Sequence, residues 1–164
     1  MIILGIDPGV AMVGYSIVEC KGNNVKAIDY GCIITKAEEH FPDRIKTIYD
    51  RLLEIIDEYQ PDDLAIEELF FNKNVKTAIM VGQARGVEIL AAVNRGLDIY
   101  EYTPLQIKQA VTGYGRADKK QVQQMVKMIL NLKETPKPDD VADALAIAIC
   151  HGAGIKFKEQ FRMK

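Results

Sequence analysis

One stretch limits what this chain can fold into more than any other: its first nine residues, Met1-Ile2-Ile3-Leu4-Gly5-Ile6-Asp7-Pro8-Gly9. Such an apolar run is the pattern of a strand buried in the middle of a sheet. Pro8-Gly9 ends it. Every other residue of the strand is apolar or glycine, so Asp7 is the one charge it delivers. An isolated carboxylate at the end of a buried strand costs several kcal/mol in lost hydration, so it needs a partner. Asp-Pro-Gly is also an ordinary turn sequence, and a turn role for Asp7 stands beside that reading.

The chain that follows supplies the rest of a sheet. Residues 13–18 predict a second strand, Lys21-Gly22-Asn23-Asn24 a hairpin turn, and residues 25–35 a third strand with Gly31 as a bulge or close backbone approach. Apolar residues at helical spacing predict a helix over 42–59, with Pro42 in its first turn. Leu64-Ala65-Ile66 is a short buried strand ending at Glu67, and a strand is predicted over 97–102. Helices are predicted over 75–94, 104–111, 119–132 and 139–150. The sum is α/β: a mixed five-stranded sheet, an antiparallel meander plus two further strands, flanked by helices. The length of 164 residues suits one domain, placed at 1–155, and the charged tail over 156–164 is expected to fray.

Composition narrows the class. At 48% hydrophobic and 27% charged the chain is globular rather than disordered. No apolar run approaches the ~20 residues of a membrane-spanning helix, and no cleavable leader pattern opens the chain. Cys20, Cys32 and Cys150 are odd in number and lack CxxC spacing, so they read as buried thiols in a reducing, cytoplasmic setting. A net charge of −2 hides an asymmetry. Residues 38–68 carry eleven acids against three bases. Residues 105–133 carry Lys108, Arg116, Lys119, Lys120, Lys127 and Lys133 against Asp118 alone, and residues 72–86 add Lys73, Lys76 and Arg85 with no acid. A basic face of this kind attracts phosphate whatever the total charge, and it is equally what a solvated helix with ordinary lysines looks like.

Four carboxylates could meet. Asp7 and Glu67 each close a buried strand, and if those strands are parallel neighbours both emerge at the sheet edge where open α/β sheets build their sites. The last helix offers Asp140 and Asp143, three apart on one face of an otherwise apolar segment. A capping role behind Pro138 explains Asp139 and leaves Asp143 unexplained. Two carboxylates ~4 Å apart repel by about 4 kcal/mol at an effective dielectric near 20, so four need cations. Hard oxygen ligands favour Mg²⁺ or Mn²⁺, and paired ions of this kind serve phosphodiester chemistry. His40 and His151 are not in zinc-ligand spacing with any cysteine, and His151 reads as a surface or capping residue.

Taken together, Gly5-Ile6-Asp7-Pro8-Gly9, Ala65-Ile66-Glu67-Glu68, Gly82-Gln83-Ala84-Arg85-Gly86 and Asp140-Val141-Ala142-Asp143-Ala144-Leu145-Ala146 resemble the RuvC family of bacterial Holliday-junction endonucleases, in order and over residues 1–151. The resemblance implies a ribonuclease-H-like fold, a homodimer, Mg²⁺ or Mn²⁺ as two ions per site, and a four-way DNA junction as substrate. It implies that Asp7, Glu67, Asp140 and Asp143 are both the catalytic acids and the metal ligands. Some members of the family carry histidine at the last acidic position, where this chain has Asp143. It further implies base stacking by Phe70 and DNA contacts from Lys108 and Lys119, and the basic segments add Lys73, Lys76, Arg85, Arg116 and Lys120 as DNA-facing candidates. An aromatic side chain on a basic-flanked loop is what stacking on an unpaired base requires. A two-fold junction suits a two-fold dimer, for which the small-residue helix over 75–94 is a candidate contact, and branch-migration machinery is a possible partner.

Three rivals remain at this point. A sugar-kinase or actin-like ATPase opens with a similar strand and aspartate, but needs a second domain and a later glycine-rich phosphate loop. A related nuclease acting on RNA or RNA–DNA hybrid would share the metal chemistry. A junction-binding module without catalysis would make the acids structural.

Overall fold

A computed structural model of the protein describes residues 1–22, 24–69 and 75–164. The strands are β1 (Ile2–Asp7), β2 (Met12–Lys21), β3 (Asn24–Ile34), β4 (Asp63–Glu67) and β5 (Asp98–Tyr102). The helices are α1 (Phe41–Tyr59), α2 (Val75–Asn94), α3 (Pro104–Thr112), α4 (Lys119–Ile129) and α5 (Asp139–Ala153). The sheet order is β3-β2-β1-β4-β5, with β1 antiparallel to β2 and parallel to β4, and β4 parallel to β5. The opening strand is therefore central, paired on both edges.

Strand periodicity sorts the side chains into two cores. Leu4 and Ile6 of β1, Ile17 of β2 and Leu64 and Ile66 of β4 pack with Ile48, Leu52 and Ile56 of α1 and Ala84, Ala91 and Ala92 of α2. Ile3, Val18, Ala65, Tyr100 and Tyr102 face the other way, into α3, α4 and α5. Asp7 and Glu67 share the parity of Ile3 and Ala65, so both point to the α5 side.

α5 lies unusually deep on the sheet, because three small residues admit it. A methyl group at Gly5 would fall 2.4 Å from the Ala144 carbonyl oxygen, and one at Gly14 would fall 2.1 Å from that of Asp140. The Ser16 hydroxyl donates to the Ala144 carbonyl at 2.8 Å. Close backbone approach is a physical reason for glycine inside a strand. The meander itself is irregular between Ile17 and Val18, not at Gly31, where the Tyr15 ring crosses instead.

Three expectations change. The tail does not fray: Ile155–Phe161 forms a 3-10 helix, Lys158 reaches Asp63 at 2.6 Å, and Arg162 pairs with Asp98 and bridges to Tyr100. The buried Asp63 under Lys158, and the Phe161 ring 5.0 Å from that of Tyr102, hold a segment that composition alone would leave loose. His151 is not at the surface but fully buried, hydrogen-bonded through Nδ1 to the Tyr102 hydroxyl at 2.7 Å and through Nε2 to Asp63 at 2.8 Å. Cys32 is only half-buried, unlike Cys20 and Cys150. Among the described residues no helix is long and apolar enough to cross a membrane.

Candidate active site

The site is built where three elements end. Ile6 lies opposite Ile66 in the parallel β1–β4 pair, so Asp7 and Glu67 are the next residue on each strand and leave the sheet at its carboxyl edge. The backbone of Asp140 rests on Gly14, the residue paired with Asp7 across β1 and β2. Asp143, one helical turn further, lines a cavity of about 260 Å³ with Glu67, Lys108 and Lys119. Pro104, Ile107 and Val122 form its apolar wall.

The acids act on one another. Burial pushes the Asp7 carboxyl up to about 8, and the charges of Asp143, Glu67 and Asp140 add to the rise. Glu67 is pushed up to about 7 by burial and then by Asp143. Burial also raises Asp143, against the opposing pull of Lys119. The Lys119 ammonium stands 3.3 Å from Asp143 Oδ2 and 3.3 Å from Asp139 Oδ2. Carboxylates driven upward by burial and by each other are unsatisfied as anions, which is the condition a bound cation relieves. The donors are all hard oxygens and so fit Mg²⁺ or Mn²⁺. Among the described residues, however, no three of them surround one point closely enough to hold an ion, and the lysine supplies the only contact cation to Asp143.

The basic candidates separate. Lys76, Arg116 and Lys120 are exposed, and Lys108 is half-buried in the cavity wall. Arg85 is turned inward, its Nε on the Glu67 carbonyl at 3.2 Å and its Nη2 on Glu101 at 2.8 Å, so it braces the strand that carries Glu67. Phe70 and Lys73 lie outside the described residues. Asp139 makes no capping bond, and α5 has no side-chain cap at all; Asp139 accepts instead from Gln123 at 2.8 Å and pairs with Lys119. Besides Asp63, a buried acid on α2 escaped the sequence reading. Among the described residues neither oxygen of the fully buried Glu88 has a hydrogen bond of normal geometry, and burial pushes it up to about 8 against the pull of the nearby Gly9 amide and of Arg85. Its signal was present, since Glu88 falls on the buried stripe Ala84, Glu88, Ala91, Ala92 of α2.

Residues 3–151 match the family model described as crossover junction endodeoxyribonuclease RuvC. The chain is 63% identical to the crossover junction endodeoxyribonuclease RuvC of Finegoldia magna and 62% identical to that of Alkaliphilus oremlandii, each over the whole of both chains. Among solved structures it resembles Thermus thermophilus RuvC in complex with Holliday junction substrate, with a TM-score of 0.91 and 34% identity, covering 99% of this chain and 100% of that one. The fold and the site thus sit in a chain that belongs to the RuvC family of crossover junction endodeoxyribonucleases.

Proposed function

We propose that this protein is a structure-specific endodeoxyribonuclease that resolves four-way DNA junctions by paired symmetric nicks, in recombination and repair. One observation carries the chemistry: Asp7 and Glu67 leave the parallel β1–β4 pair at one edge with the α5 acids beside them, so that burial and the charges of Asp143, Glu67 and Asp140 push Asp7 up to about 8. A phosphodiester is hydrolysed when water attacks phosphorus in line with the departing oxygen and the P–O bond breaks. Asp7, Glu67, Asp140 and Asp143 would hold two Mg²⁺ ions, with Mn²⁺ able to substitute. When bound, the metal supplies an activated water and charge neutralisation at the leaving oxygen. The chain's own residues do the rest. β1 and β4 fix two carboxylates on rigid backbone, and α5 brings two more against them. Lys108 and Lys119 line the cavity from the α3–α4 side and offer ammonium groups to the non-bridging phosphate oxygens. Lys76, Arg116 and Lys120 are exposed at the surface, where they can follow the DNA backbone. Phe70, three residues past Glu67, would stack on a base opened at the junction centre.

A homodimer supports two nicks. The outer face of α2 carries Val75, Ile79, Leu90 and Val93, all exposed, in line with the exposed Gly82 and Gly86. Burying such a stripe against its own copy would present two sites to a two-fold junction. Branch-migration machinery is the partner class that this role implies.

The test is cleavage of matched four-way junction, linear duplex and RNA–DNA hybrid, with Mg²⁺ and with chelator. The reading expects two symmetric nicks in the junction alone, only with metal. Preferred cutting of hybrid, or cutting in chelator, would overturn it.

A further inference from the structure

The acidic cluster already has a cation in contact with it, and it is a side chain. We propose that the Lys119 ammonium is the resident cation of the metal-free cluster, and that Asp139 is the seat onto which it withdraws when a divalent ion enters. This rests on the metal-site reading above.

Four features of the geometry support it. First, Nζ of Lys119 is shared at 3.3 Å between Asp143, an acid of the cluster, and Asp139, which stands outside it. A side chain bridging two carboxylates can leave one and keep the other. Second, only the side chain needs to move. Lys119 is the first residue of α4, whose start is fixed by a reciprocal capping box between Asp118 and Gln121. Third, Asp139 is free for this task. It caps nothing, it is exposed and so stays charged at little cost, and Gln123 holds its Oδ1, leaving Oδ2 to the lysine. Fourth, the pair is displaceable. Lys119 is 53% exposed and Asp143 32%, and ion pairs in such surroundings are weak. Lys108 provides the internal control. It lines the same cavity and its charge acts on Glu67, but among the described residues it forms no ion pair.

The experiment is Mn²⁺ binding to the full-length, DNA-free protein, read by electron paramagnetic resonance, with four variants. Lys119→Met should tighten binding by about fivefold or more, and Lys108→Met by less than about twofold, because only the first removes a competing occupant. Asp139→Asn should weaken binding about threefold in the wild-type background and change nothing in the Lys119→Met background, since the seat matters only while there is a lysine to receive. Independently, the Lys119 methyl-amine resonance of reductively ¹³C-methylated protein should shift on Mg²⁺ titration while that of Lys108 stays fixed. Equal tightening by both lysine variants would overturn the proposal, as would an Asp139→Asn effect of the same size in both backgrounds, or an unmoved Lys119 resonance. Those results leave the metal reading standing. Absence of Mn²⁺ binding in the wild type and all variants would instead overturn the metal reading itself.

Discussion

β4 and α5 meet twice, once at each end of the sheet, and the two meetings are opposites. At the amino end of β4, Asp63 is buried beneath His151 of α5 and Lys158 of the tail. Burial raises its carboxyl, but the hydrogen bonds from His151 and Lys158 outweigh that and hold it below the usual carboxylate range. At the carboxyl end, Glu67 faces Asp143 of the same helix, and both are pushed upward with Asp7. The same two elements thus carry one carboxyl held low by its partners and two that are pushed upward, Asp143 even with Lys119 beside it. A paired buried charge fastens structure, and removing its partner leaves an uncompensated ion. A group of carboxyls raised by burial and by one another is kept against the interest of stability, which is the mark of a functional site.

The contrast can be broken by mutation. The largest expected effect is on catalysis. Asp7→Asn should lower junction cleavage by about 10³-fold or more while leaving junction binding in chelator within about threefold. Unchanged cleavage, or equal loss of binding, would make the carboxyl-edge cluster structural after all. Asp63→Ala should do the reverse. It should cost about 2–4 kcal/mol of stability, seen as a lower denaturant midpoint, with cleavage retained below the melting temperature. A loss of cleavage without a loss of stability would erase the distinction between the two ends.

Acidity separates the ends next. Asp7 binds its proton more tightly folded than unfolded, so between its ordinary value of 3.8 and about 8 the folded state carries the extra proton. Stability from this group therefore falls as pH rises across that window, and Glu67 adds the same trend from 4.5 to about 7. Asp63 is lowered, so its contribution is full above its ordinary 3.8 and is lost as pH falls through its folded value. Metal-free protein should accordingly be more stable near pH 5 than near pH 8.5, and Asp7→Asn should flatten that slope. A wild-type slope that survives the substitution would remove Asp7 from the account. The smallest effect belongs to the surface: Lys120→Ala should reduce the salt dependence of junction binding by about one counterion and leave cleavage rate at saturation unchanged. No change in salt slope would place Lys120 on a solvated face.

Much of the carboxyl-edge site could be read from the chain because local rules govern it. Period-two alternation fixes the side to which Asp7 and Glu67 point, and a three-residue spacing aligns Asp140 with Asp143. The parallel β1–β4 pairing that unites them needs a long crossover, which β2, β3 and α1 supply. The opposite end was not readable. His151 and Asp63 are 88 residues apart, and nothing near either announces the other. The docked tail fails for the same reason, since Lys158 and Arg162 look like solvated charges until Asp63 and Asp98 are beneath them. Arg85, expected among the DNA-facing bases, turns inward in the DNA-free chain, and Asp139, expected to cap α5, does not cap it. In each case a tertiary partner, Glu101 for one and Lys119 for the other, outbid the local preference.

The central claim is that the carboxyl-edge acids are destabilised anions awaiting a divalent ion. It is tested most directly by the melting temperature of the DNA-free protein at pH 6 and pH 8.5, with and without Mg²⁺. The account predicts that saturating Mg²⁺ raises the melting temperature more at pH 8.5 than at pH 6, by roughly 3–8 °C at the higher pH, and that Asp7→Asn removes most of that gain. An equal rise at both pH values, or a gain that Asp7→Asn leaves intact, would contradict it.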